Sequence, residues 1–185
     1  MGADMKTMNG NSLPRAIEFS NNGVSDSLTG APAPKTFFDN LAREISQSQR
    51  NSQTISIVTM KLLPKYRDAK KLKITLPKYS DQSNLEFEKD LSITSNCIKS
   101  NMRGGDFYSR LAENGFWLCI QGNLEEATRA ANRIDVKITE RLKNLSGDSR
   151  IEFTFSEWAR NCDVNNWIKE VDTQFFFESV GKASK

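Results

Sequence analysis

Residues Arg103–Gln121 read RGGDFYSRLAENGFWLCIQ. Two short runs rich in aromatic and apolar residues, Phe107–Leu111 and Phe116–Gln121, flank Glu113-Asn114-Gly115. Asn-Gly between such runs is the strongest short-range hairpin signal a sequence carries, so the stretch predicts two antiparallel strands joined at this turn. A second candidate turn, Gly104-Gly105-Asp106, precedes the first strand. What either turn does depends on the elements around it.

Upstream, Thr36–Gln49 places Phe37, Phe38, Leu41 and Ile45 near one helical face, and Pro34 suits a helix start. Thr54–Met60 is short, β-branched and apolar, which predicts a buried strand. Asn84–Met102 returns to helical spacing through Phe87, Leu91, Thr94, Ser95, Ile98 and Met102. Downstream, Asn123 caps a helix over Leu124–Leu142, whose apolar stripe is Leu124, Ala127, Ala131, Ile134, Ile138 and Leu142. Arg150–Trp158 alternates as a strand, and Asn165–Val180 is a last helix with Trp167, Val171, Phe175 and Phe176 as its candidate inward residues. The order helix, strand, helix, hairpin, helix, strand, helix predicts an α/β fold: a sheet with the antiparallel hairpin at its centre, flanked by helices.

The chain of 185 residues is 37% hydrophobic, which suits one globular domain with its own core. Residues 1–25 are rich in Asn, Ser, Gly and Met without a period, and are expected to be a mobile lead-in with one short helical turn at Pro14–Phe19. Residues 182–185 are a tail. No apolar run reaches the roughly 18–20 residues of a membrane span, and no signal peptide opens the chain. The three cysteines, Cys97, Cys119 and Cys162, have no CxxC spacing and are expected to be reduced, in a cytoplasmic protein. A net charge of +3 is too small to argue for nucleic acid. With no histidine in the chain, imidazole catalysis and histidine ligation of a metal are excluded. One internal repeat stands out: LPKYRD at Leu63–Asp68 recurs as LPKYSD at Leu76–Asp81, with basic AKKLK between. It suits either a solvated loop or a basic patch for an acidic partner.

These motifs and their order together resemble the GGDEF domain of the diguanylate cyclases. Asp26-Ser27-Leu28-Thr29-Gly30 is similar to the family's D-x-L-T-G entry, and Arg103-Gly104-Gly105-Asp106 to its R-x-x-D. After a short spacer, and behind Arg110-Leu111, the signature slot holds Ala112, Glu113, Asn114, Gly115 and Phe116. Val171-Asp172 and Phe175-Phe176 weakly resemble the family's last helix motif. The resemblance spans Asp26 to Gly181 and implies a GGDEF-like, ferredoxin-like sheet.

The resemblance implies that the hairpin turn is the signature, while Gly104 and Gly105 are the variable positions inside R-x-x-D. In the family, glycines of the signature let the backbone approach a nucleotide and an acid holds the metal; here Asn114 and Gly115 stand where the acids belong. The first strand's D-x-D corresponds to Lys61-Leu62-Leu63, and a lysine repels a divalent cation. The F-K-x-x-N-D stretch that supplies a guanine ligand is not recognisable, and the duplicated LPKY segment stands in its place. The family's L-x-N-R reads Ala31-Pro32-Ala33-Pro34. The sequence therefore predicts no metal, no cofactor and no enzyme: a degenerate cyclase without catalytic residues.

The R-x-x-D element is the family's inhibitory site for cyclic di-GMP. Arg103 and Asp106 keep it, and Ala131-Asn132-Arg133-Ile134 matches three of four positions of the pattern that supplies a further arginine. Arginine forks two hydrogen bonds to guanine O6/N7 or to phosphate and stacks on a base. Arg103, Asp106 and Arg133 are thus the candidate ligands of cyclic di-GMP. An Arg and an Asp three apart at a helix end equally pair with each other or cap the turn, and Arg133 is equally a solvated helix residue. The competing functional reading is a ligand-independent interaction module that docks a protein partner, with Lys61–Lys78 as its surface. A homodimer stays open.

Overall fold

A computed structural model describes residues 17–64, 81–145, 149–160 and 162–181. The elements in chain order are α1 (Pro34–Asn51), β1 (Ile55–Pro64), α2 (Asp81–Asn101), β2 (Phe107–Ala112), β3 (Gly115–Gln121), α3 (Leu124–Asn144), β4 (Ser149–Glu157) and α4 (Val164–Gly181). Each element expected from periodicity is present. The four strands form one sheet in the order β2-β3-β1-β4, and every pairing is antiparallel. The hairpin therefore contributes one central strand, β3, and one edge strand, β2.

Alternation along the strands sorts two cores. On β1, Val58, Met60 and Leu62 join Phe116, Leu118 and Ile120 of β3 under α2 and α3. Ile55 and Ile57 join Trp117 and Cys119 on the opposite face, under Phe37, Leu41 and Ile45 of α1 and Trp167 and Val171 of α4. Because both faces of β3 are covered, Phe116 through Ile120 are buried without a break. That is why FWLCIQ is nearly all apolar. Burial pushes the Cys119 thiol well above the usual range, with the Glu44 and Asp106 carboxylates adding to the effect. A thiol reagent at mildly alkaline pH should consume Cys119 only after unfolding, as a denaturant-dependent count of labelled thiols would show.

Helix α3 begins with a capping box. The Asn123 side chain accepts from the Glu126 N–H at 3.0 Å, and Glu126 Oε2 accepts from the Asn123 N–H at 3.1 Å. Asn123→Ala should cost about 1 kcal/mol in a urea melt, the usual effect of losing an N-cap. Leu124, counted in the apolar stripe, is instead 43% exposed. The first helical residue points away from the sheet, and Ala130 completes the buried face.

The expected boundary at residue 25 falls inside a structured segment. Ile17 packs on the α2–α3 core, the Glu18 N–H donates to Glu88 of α2, and Ser25 and Pro32 form a β-bridge. Buried partners on α2 hold this stretch in spite of its polar composition. Ile17–Phe19 are not helical; the rest of the turn expected at Pro14–Phe19 lies outside the described residues. So do residues 182–185 and most of the LPKY duplication, at 65–80. No helix among the described residues is long and apolar enough to cross a membrane.

Candidate functional site

The hairpin turn is held from three sides. Ala112 pairs with Gly115, so Glu113 and Asn114 form the two-residue loop, and a register shift between Arg110 and Ala112 adds twist just before it. A type I′ turn would need positive φ at both loop residues, and neither has it. The Asn-Gly signal found the hairpin, yet these residues serve the turn in other ways. Asn114 locks it to β1: its carbonyl accepts from the Leu62 N–H at 2.9 Å and its Nδ2 donates to the Leu62 carbonyl at 3.1 Å. Gly115 lies opposite Lys61 of β1 and against Phe175 of α4.

Beneath the turn is a buried ion pair that sequence reading did not isolate. Arg110 Nη1 donates to both carboxylate oxygens of Asp26, at 3.1 and 3.2 Å, with side-chain exposures of 0% and 3%. Asp26 Oδ1 also accepts from the Thr29 N–H at 2.8 Å and its hydroxyl at 2.6 Å. Arg110 Nη2 donates to the Glu113 carbonyl at 2.5 Å, and the Phe19 ring lies 5.0 Å from the guanidinium carbon. The D-S-L-T-G entry and the Arg-Leu lead-in are thus one structural unit that sets the turn on the core. An arginine on the buried face of an apolar strand demands such a carboxylate, and that was the available signal.

The second turn, between α2 and β2, carries the candidate ligands. The Asp106 N–H donates to the Arg103 carbonyl at 3.1 Å. In return, Asp106 Oδ2 accepts from the Arg103 N–H at 3.2 Å, and its Oδ1 accepts from the Gln121 N–H at 3.1 Å. Asp106 therefore fixes the loop to the end of β3, and it does not pair with the Arg103 guanidinium. The Arg103 side chain is exposed and has no hydrogen-bond or ion-pair partner among the described residues. Arg133, half-buried on α3, crosses to the same loop and donates from Nη2 to the Asn101 carbonyl at 3.0 Å, at the end of α2. The three expected residues come from a loop and a separate helix, and they meet around one short stretch, residues 101–106.

Among the described residues, the donor set at the hairpin turn does not fit a divalent cation. Lys61 places its ammonium there, 4.4 Å from the Phe175 ring centre, Asn114 uses its amide on Leu62, and Glu113 is exposed. Cations of that class need several hard oxygens at one point.

No protein-family model and no curated protein sequence matches the chain. Solved structures do. The GGDEF domain of DgcB from Caulobacter crescentus, in complex with c-di-GMP, superposes at a TM-score of 0.66 with 16% identity, over 88% of this chain and 94% of that one. A microbial GGDEF domain described with cyclic di-GMP in a novel interaction mode matches at 0.62 with 13% identity, over 84% and 92%. Diguanylate cyclase SiaD of Pseudomonas aeruginosa, in complex with its activator SiaC, matches at 0.61 with 16% identity, over 80% of this chain and 55% of that one. The chain thus has the fold of a GGDEF domain. One expectation is corrected by these matches. The sequence predicted that the chain is no enzyme, but the structures that share its fold are diguanylate cyclase domains, which are enzymes.

Proposed function

We propose that this GGDEF-fold domain is a receptor for cyclic di-GMP, which it takes at the α2–β2 loop through Arg103, Asp106 and Arg133. The observation that carries this reading is the exposed Arg103 guanidinium, without a partner among the described residues, on a loop that Asp106 and Arg133 hold from either side. A fixed loop presenting one uncommitted guanidinium is a pre-organised site, and pre-organisation lowers the cost of binding. Arg103 supplies the fork to guanine or phosphate. A carboxylate offers about four lone-pair directions, so Asp106 retains capacity for guanine N1 and N2 beside its two backbone bonds. Arg133 adds positive charge toward the phosphates. Two of the solved structures with this fold have cyclic di-GMP as their subject, which supports the choice of ligand.

A ligand that binds only the folded state must raise the thermal midpoint. At about a hundred times its dissociation constant it adds about 2.7 kcal/mol, or several degrees for a domain of this size. Cyclic di-GMP should produce that shift and GDP should not; equal shifts from both would contradict a dinucleotide site. The interaction-module reading rests on Lys61–Lys78, most of which lies outside the described residues, and no observation favours it.

A further inference from the structure

Gln121 closes β3, and its backbone and side chain hold different parts of the molecule. Its N–H donates to Asp106 Oδ1 at 3.1 Å. Its Nε2 donates to Glu44 Oε2 of α1 at 2.7 Å. Between these two bonds the side-chain amide lies against the bare backbone of Gly105. A Cβ on Gly105 would fall 2.0 Å from Gln121 Oε1 and 2.5 Å from its Cδ, whereas a Cβ on Gly104 would meet nothing within 4 Å. Positive φ does not account for glycine at 105; the close approach of the amide does. Helix α1 is a firm anchor, because Phe37, Leu41 and Ile45 fix it to the core. The loop that presents Arg103 is thus braced on α1 through one side chain.

We infer that Gln121 is a positioning residue for cyclic di-GMP: it clamps Gly105 and, through Glu44, ties the ligand loop to α1, so that Arg103 is held ready without Gln121 touching the ligand. The inference rests on the receptor reading above. A loop that is ordered only on binding subtracts that ordering cost from affinity, and a brace formed beforehand removes it. The clamp opens from either side. Truncating Gln121 removes it directly. A methyl group on Gly105 displaces it, and because the atoms it meets are the far end of a flexible side chain, the amide swings away at little cost to the fold.

The test is calorimetry with cyclic di-GMP, with thermal melts and amide exchange at residues 103–106 measured on the same proteins without ligand. Gln121→Ala should weaken binding roughly three- to tenfold, the range of one hydrogen bond, and speed exchange in the loop, while its thermal midpoint stays within about 2 °C of wild type. Gly105→Ala should do the same. In a Gln121→Ala background Gly105→Ala should cost nothing further, because there is no amide left to displace. Glu44→Gln and Glu44→Ala both remove a charge, but only glutamine still accepts from Gln121 Nε2, so Glu44→Gln should bind the more tightly of the two. That difference should vanish in the Gln121→Ala background. If wild type binds no cyclic di-GMP, the receptor reading fails and takes this inference with it. If wild type binds, the inference alone is overturned by unchanged affinity or unchanged loop exchange in Gln121→Ala. It is equally overturned if Gly105→Ala still weakens binding without Gln121, which would mean that the methyl group meets the ligand itself, or if the two Glu44 variants bind alike.

Discussion

Replacing Arg110 by alanine should destabilise the domain by about 3–5 kcal/mol, the usual cost of removing one partner of a buried ion pair. Asp26 would remain buried beside Thr29 without the guanidinium that now faces it. The Glu113 carbonyl would lose its guanidinium donor, and Phe19 would lose the cation beneath its ring. Asp26→Asn should fall short of that figure, because an amide oxygen still accepts from Thr29, but it leaves Arg110 without its counter-charge. The double variant Asp26→Leu/Arg110→Met should recover much of the loss, since apolar pairs often replace buried ions without net cost. Urea melts of wild type, Asp26→Leu, Arg110→Met and their double variant form a double-mutant cycle. A loss under about 1 kcal/mol for Arg110→Ala would mean that the turn is held by Asn114 and Leu62 alone.

Arg103→Ala should weaken cyclic di-GMP binding roughly ten- to hundredfold, from about 1.5–3 kcal/mol of charge-assisted contact. Its stability should stay within about 0.5 kcal/mol of wild type, because the side chain is exposed and its removal leaves no buried group unpaired. That separation of binding from folding distinguishes Arg103 from Arg110. Arg103→Lys should recover part of the affinity, since an ammonium reproduces the charge but not the planar fork. Asp106→Asn and Arg133→Ala each affect more than the ligand. The first weakens the ties to the Arg103 and Gln121 N–H groups, and the second frees the end of α2 at Asn101. Both should lower affinity and also loosen the loop, visible as faster amide exchange at residues 103–106.

The order of elements was legible because each has an undiluted period: β-branched residues in β1, apolar spacing in α3, and an unbroken apolar run in β3. The edge position of β2 was not legible, since hairpin chemistry fixes only which two strands are neighbours. Strand order depends on where the α2 and α3 connections return. The ordering of residues 17–25 was hidden for a similar reason. Their polar composition argues for a lead-in, while their partners, Glu88 and Arg110, lie far along the chain. The motif spacing singled out Arg103, Asp106 and Arg133 as candidates but could not say which group faces solvent. Asp106 spends its carboxylate on backbone donors, and only the register of β3 puts the Gln121 N–H within reach. Gly115 illustrates the opposite error: Asn-Gly suggests a glycine needed for φ, and the fold shows one needed for the approach of Phe175.

The most direct test of the receptor reading is a calorimetric titration of wild type and Arg103→Ala with cyclic di-GMP at two salt concentrations. We expect saturable binding by the wild type, weakened at least about tenfold in the variant and weakened in the wild type as salt rises, because Arg103 and Arg133 meet phosphate through charge. No heat and no thermal response from wild type at high micromolar ligand, or equal affinity for the variant, would contradict it, and Arg103-Asp106 would then be part of a loop that only joins α2 to β2.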